Sequence, residues 1–182
     1  MTRKDVLFIH SAGPQGYRQG SYYLLSYLEK VLGDGYHIVR PQMPDPNYPN
    51  YELWSKKLGE SIRSLHQPAI LVGHSLGGSV LLKYLAEQHV PAKVSGLFVV
   101  AAPYWGTANW EVDEFMLPEN FASVLGGQSI FFYHSQDDEA VPLKHMLYYA
   151  HELPLAAVRE LKHRGHLFSS GLPELIKDIE GL

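Results

Sequence analysis

Along the chain, short unbroken runs of Val, Ile, Leu and Phe take turns with longer stretches whose apolar residues recur at helical spacing. The runs fall at 5–9, 36–40, 69–73, 95–101, 129–134 and 157–161 and predict six strands. Val6-Leu7-Phe8-Ile9 and Leu97-Phe98-Val99-Val100 lack polar alternation, as expected of parallel strands covered by helices on both faces. Helices are predicted at 21–32, 51–65, 76–88, 142–151 and 172–181. In the first, Tyr23, Leu24, Tyr27, Leu28 and Leu32 line one face, and Gly33 is a stop signal. Pro142 and Pro173 suit the first turns of the last two, where a missing N–H leaves no bond unmade. The segment from Pro41 to Pro49, with prolines also at 44 and 46, cannot be helical and reads as a stiff loop after the second strand. Strand and helix alternating in this way predict an α/β fold with a mostly parallel sheet.

Composition narrows the picture. A length of 182 residues predicts one domain, 1–182, large enough for a core that needs no staples. With 46% hydrophobic and 19% charged residues, the chain is of ordinary globular type, which excludes a disordered tail or a fibrous repeat. Fifteen basic against nineteen acidic residues give a net charge of -4, and no basic run could track a phosphate backbone, so nucleic acid is not an expected partner. The chain has no cysteine, which excludes disulfides, thiolate metal sites and a cysteine nucleophile. The run Val6–Ile9 is too short for a signal-peptide core or a membrane span, so a soluble cytoplasmic protein is expected. Neither G-x-x-x-x-G-K-[ST] nor G-x-G-x-x-G occurs, which disfavours nucleotide binding.

The chemistry centres on Gly73-His74-Ser75-Leu76-Gly77-Gly78, a G-x-S-x-G string. The string alone is weak, but Ala69–Val72 ahead of it reads as strand and Ser79–Leu85 behind it as helix, the context in which such a serine stands on a strained turn. A nucleophile needs a base, and the base an orienter. The fifth strand runs into Asp137-Asp138-Glu139, and the sixth into His163-Arg164-Gly165-His166. Serine, acid and histidine thus occur in chain order, each group after a strand. The pair His163-x-x-His166 has the spacing of metal ligands, but no further acidic or histidine cluster joins it.

These residues resemble the α/β-hydrolase superfamily, and within it the small serine hydrolases that include retinoblastoma-binding protein 9 and its bacterial YdeN-like relatives. The resemblance spans nearly the whole chain. It rests on Phe8-Ile9-His10, Met43-Pro44-Asp45-Pro46, Gly73 to Gly77, Asp138-x-x-Val141-Pro142 and Gly165-His166. It implies strand order 2-1-3-4-5-6 with helices on both faces and a minimal lid. It also implies that Asp138 is the acid, leaving Asp137 as a solvated loop charge. Gly165 permits the tight turn that returns His166 over Ser75, which leaves His163 at the surface. The oxyanion hole is expected from the backbone N–H of Leu76 and of one residue after the first strand. The resemblance puts that second donor at Ala12, although Ser11 replaces the glycine common in this loop. His10 and His74 read as packing or supporting residues.

Between the fourth and fifth strands, 102–127 holds Tyr104, Trp105 and Trp110, expected as an aromatic pocket wall. The expected function is a serine hydrolase that needs no cofactor and no metal. It would cleave a small-molecule ester or activated amide through an acyl-enzyme on Ser75, with His166 as base and Asp138 as orienter. Thioesterase, amidase and acyltransferase chemistry use the same triad. The rival from another class is a binding or scaffold protein that retains the fold with little turnover. The sequence leaves a protein partner open, and an L-x-C-x-E partner motif is absent because the chain has no cysteine.

Overall fold

A computed structural model describes residues 3–66, 68–88 and 94–182. Six strands, β1 (Lys4–Ile9), β2 (Tyr36–Val39), β3 (Ala69–His74), β4 (Val94–Val100), β5 (Ile130–Ser135) and β6 (Ala157–Leu161), form one sheet in the order β2-β1-β3-β4-β5-β6. Every neighbouring pair is parallel. This is the order implied by the resemblance, and the strands lie within a residue or so of their predicted positions.

The absence of polar alternation has the predicted cause. In β3 all six residues are buried, with Ala69 and Leu71 entering the core on one face and Ile70 and Val72 the core on the other. Helices α1 (Tyr22–Leu32) and α6 (Pro173–Glu180) cover the second face through Leu24, Leu28, Leu175 and Ile179. The first face is covered by α2 (Tyr51–Ser64), α3 (Leu76–Gln88), α4 (Phe121–Leu125) and α5 (Lys144–Glu152). The edge strands β2 and β6 have no fully buried residue, because each has a neighbour on one side only.

Local sequence sets several boundaries. Asn50 caps α2, its side chain accepting the Leu53 N–H at 3.1 Å. The wholly buried Trp54 then donates its indole N–H to the Pro44 carbonyl at 2.8 Å, which pins the proline-rich loop onto α2. Pro173 does begin α6, whereas α5 starts at Lys144, after Pro142 rather than on it. The β4–β5 connection holds a short 3-10 turn at Asp113–Phe115 and the five-residue α4. These two were not predicted: too short to show helical periodicity, they are held by burying Phe115, Phe121 and Leu125 against the sheet. Among the described residues, no helix is long and apolar enough to cross a membrane.

Candidate active site

Ser75 is the one residue between β3 and α3, and it takes a left-handed backbone with φ 53°. That conformation costs a non-glycine residue about 1–3 kcal/mol and persists only when its surroundings impose it. Here the Ser75 N–H donates to the Val100 carbonyl at 2.8 Å, and the Ser75 carbonyl accepts the Gly78 N–H at 2.9 Å. The flanking glycines allow the close approach of strand and helix. A Cβ on Gly77 would sit 2.4 Å from the Ile9 carbonyl oxygen, and one on Gly73 2.6 Å from the Gly78 backbone.

The three groups expected from the sequence come together at Ser75. His166 Nε2 lies 3.1 Å from Ser75 Oγ, and its Nδ1 lies 2.8 Å from Asp138 Oδ2. An ionised carboxylate only accepts, so the proton sits on Nδ1, and Nε2 presents its lone pair to the serine hydroxyl. Burial alone would raise the Asp138 carboxyl, but bonds from His134, His166 and the Val141 N–H outweigh it and hold the group well below the usual carboxylate range. Asp138 Oδ1 accepts the N–H groups of Ala140 at 2.9 Å and Val141 at 2.8 Å. The buried His134 donates from Nε2 to the Val141 carbonyl at 2.7 Å and lies 3.3 Å from Asp138 Oδ2. A turn of the Asp-x-x-Val type therefore shapes the acid's surroundings through its own backbone.

Asp137 corrects one expectation. It is exposed, yet it is not merely a solvated charge: its Oδ1 accepts the N–H groups of Arg164 and Gly165, each at 3.2 Å, and a bond from the Ser135 hydroxyl. These bonds, the Ser135 one foremost, lower its pKa. The two neighbouring acids thus divide between them the His166 ring and the backbone turn that carries it. His163 is exposed, with a left-handed backbone at φ 57°. Among the described residues, no three His, Cys, Asp or Glu side chains are placed to hold a metal ion.

A second network gives His74 the supporting place expected of it, through partners the sequence did not reveal. His74 is completely buried, and its Nε2 lies 2.8 Å from the His166 carbonyl. A carbonyl only accepts, so Nε2 carries the proton and Nδ1 accepts the Ser21 hydroxyl at 2.8 Å. Ser21 Oγ in turn accepts the Ser11 N–H at 2.9 Å. Burial, aided by the neighbouring His166, pushes His74 down to about 3, so the ring is neutral. His74 therefore braces the backbone of His166 at one end and the loop after β1 at the other. That loop carries Ala12 between two committed amides, Ser11 bonded to Ser21 and Gly13 bonded to the Pro46 carbonyl at 2.6 Å. Leu76 opens α3 with its side chain buried, one residue after Ser75.

Tyr104 and Trp105 line a cavity of about 330 Å³ with Met116, Leu117 and Phe121. Trp110 is not on its wall. It packs edge-on against Trp105 and His145, with ring centres 5.4 and 4.7 Å apart.

A family profile described as "Serine hydrolase" matches residues 23–175. Hydrolase YdeN of Bacillus subtilis (strain 168) is 30% identical over 172 residues, covering 90% of this chain and 85% of that protein. The crystal structure of the B. subtilis ydeN gene product superimposes with a TM-score of 0.81 at 26% identity, over 98% of this chain and 97% of the other. The 2-hydroxy-6-oxo-6-phenylhexa-2,4-dienoate hydrolase of Rhodococcus sp. strain RHA1 has a TM-score of 0.73 at 16% identity, over 98% and 89%, a likeness of fold. The sheet order and these neighbours make the architecture an α/β-hydrolase fold. With the profile spanning most of its length and a relative this similar across nine-tenths of it, the chain belongs to the serine hydrolase family.

Proposed function

We propose that this hydrolase cleaves small carboxylic esters or activated amides through an acyl-enzyme on Ser75. The observation that carries this reading is the continuous hydrogen-bonded line from Ser75 Oγ through His166 to the buried, ionised Asp138. Ser75 Oγ attacks the substrate carbonyl while His166 Nε2 takes its proton, and Asp138 stabilises the imidazolium that results. The N–H groups of Leu76 and Ala12 receive the developing oxyanion. Collapse of the tetrahedral intermediate breaks the bond to the leaving group, which takes the proton from Nε2. Water then attacks the acyl-enzyme with its proton passing to the same nitrogen, and the acid product leaves as Ser75 is reprotonated. Tyr104 and Trp105 serve as an apolar wall for the substrate, with Trp110 behind Trp105.

The test is labelling with a fluorophosphonate alongside turnover of p-nitrophenyl acetate. Ser75→Ala should abolish labelling and lower turnover by about three orders of magnitude or more, with the fold intact, since only a hydroxyl is lost. Labelling that persists at equal occupancy in Ser75→Ala refutes the nucleophile.

A further inference from the structure

One buried imidazole stands against the catalytic acid and has no step of its own in the mechanism. His134 is the fifth residue of β5 and is 1% exposed, so it meets neither solvent nor substrate. Its Nε2 lies 2.7 Å from the Val141 carbonyl and 3.3 Å from Asp138 Oδ2. Both are acceptors, so Nε2 carries a proton. The hydrogen bond goes to the carbonyl, and the positive end of the same N–H stands beside Oδ2. That oxygen is also the one that accepts the His166 Nδ1–H at 2.8 Å. Two imidazoles thus converge on one oxygen of a carboxylate whose side chain is closed to solvent.

The other oxygen keeps the carboxylate in place. Asp138 Oδ1 accepts the N–H groups of Ala140 and Val141, two bonds set by the backbone of the turn itself. Removing the His134 ring therefore leaves Asp138 aimed at His166 and changes mainly the field at Oδ2. A donor beside a carboxylate stabilises its charge, and so competes with the imidazolium that forms on His166 during turnover. In a site this dry the competition is not screened by water. Of the other titratable groups nearby, His74 of β3 has its ring centre 5.1 Å from that of His166, and His145 of α5 responds to both His134 and Asp138. Burial lowers both, so both are neutral near neutral pH. The charged neighbours are Lys144, next to His145, Asp137, bonded to the Gly165 N–H, and Arg164, turned to Ser170 and Glu174. A substitution at position 134 alters none of these.

We infer that His134 is a positioning residue that acts through Asp138: its N–H tempers the carboxylate's hold on the His166 imidazolium, so that His166 readily gives its proton to the leaving group. The inference rests on the reading of Ser75, His166 and Asp138 as the triad.

The experiment measures kcat/KM for p-nitrophenyl acetate between about pH 5 and 9 in wild type, His134→Phe and His134→Gln. Phenylalanine keeps a ring in the buried space and removes the donor, whereas the glutamine amide can still donate toward Val141 and Asp138. In His134→Phe the acid limb should move to higher pH, so the ratio of kcat/KM at about pH 8.5 to that at about pH 5.5 should rise about threefold. His134→Gln should give a ratio closer to wild type than to His134→Phe. A loss equal at all pH values, as looser packing alone would give, overturns the inference. So does a limb that moves to lower pH, or a glutamine variant that matches phenylalanine. His134→Met, flexible and without a donor, takes the place of His134→Phe if the latter does not fold. The second measurement needs neither variant: the imidazole nitrogen NMR shifts of wild type should show His134 with its proton on Nε2, and a proton on Nδ1 alone overturns the inference. Turnover that persists in Ser75→Ala would instead refute the nucleophile, and the NMR result would still decide whether His134 turns a donor toward Asp138.

Discussion

Ser21→Ala removes one hydroxyl 10 residues from Ser11 and 53 from His74 in sequence, and cuts the brace between the loop after β1 and the end of β3. Ser21 and His74 are both fully buried and Ser11 is 7% exposed, so water does not readily replace the lost partner. Two groups are stranded, the Ser11 N–H and His74 Nδ1, at about 1–3 kcal/mol each, or roughly 2–6 kcal/mol in all. A domain stable by about 10 kcal/mol, the middle of the usual range, remains folded under that loss. At this size each kcal/mol lowers Tm by about 2–4 °C, so the melting curve should shift down by roughly 4–24 °C. Because the brace also fixes the His166 carbonyl and the loop carrying Ala12, kcat on p-nitrophenyl acetate should fall about tenfold or more, with a smaller change in KM. Ser11→Ala is the control: it deletes only the 3.2 Å contact between the two hydroxyls and keeps the backbone bond, so its loss of Tm should be less than half as large. Calorimetry and initial rates on the same preparations decide the matter. If Ser21→Ala melts within about 1 °C of wild type, the brace carries no free energy, and if kcat is also unchanged it positions nothing.

Three further outcomes are expected. Asp138→Asn should lose up to about 10⁴-fold in kcat by favouring the wrong imidazole tautomer, whereas Asp137→Asn, which still offers an oxygen to the Arg164 and Gly165 amides, should stay within about tenfold; initial rates of the two variants check this, and the reverse order would exchange their roles. Stability should fall in acid in two stages. His10 and His74 are lowered to about 4 and about 3, so the unfolded chain binds protons that the folded one does not once pH drops below about 6.5, and Asp138, held low, adds its loss below about 3.9. Melting curves from pH 8 to 3 check the sign, and a Tm flat between pH 7 and 5 contradicts it. In a p-nitrophenyl ester series kcat/KM should peak between acetate and hexanoate, because the β4–β5 connection supplies only a 3-10 turn and the five-residue α4, too little to enclose a long acyl chain; a steady rise through dodecanoate would show a deeper tunnel.

Much of this architecture is written in local rules. Apolar runs without alternation mark buried parallel strands, prolines from 41 to 49 forbid a helix, and glycines at 73 and 77 allow a strand and a helix to meet at a serine. Each depends on a few neighbouring residues, so each survives without knowledge of the fold. The order serine, acid, histidine was likewise legible, because each group follows a strand and parallel strands deliver their ends to one edge. The choice between Asp137 and Asp138 was not decided by position alone. It turns on which carboxylate faces His166 and which faces the backbone of Arg164, and that depends on the path of a loop 27 residues further on.

The partners of His74 were beyond reach for the same reason. His74 meets Ser21 across 53 residues and the His166 carbonyl across 92. His74 reads from the sequence as a supporting residue, but nothing in the spacing of these residues marks them as partners. Periodicity is a property of the backbone and its nearest neighbours, and it fixes which face a side chain takes. Hydrogen-bond partners, tautomers and unmet donors are set by what the sheet order brings against that face, and only the packed chain determines it.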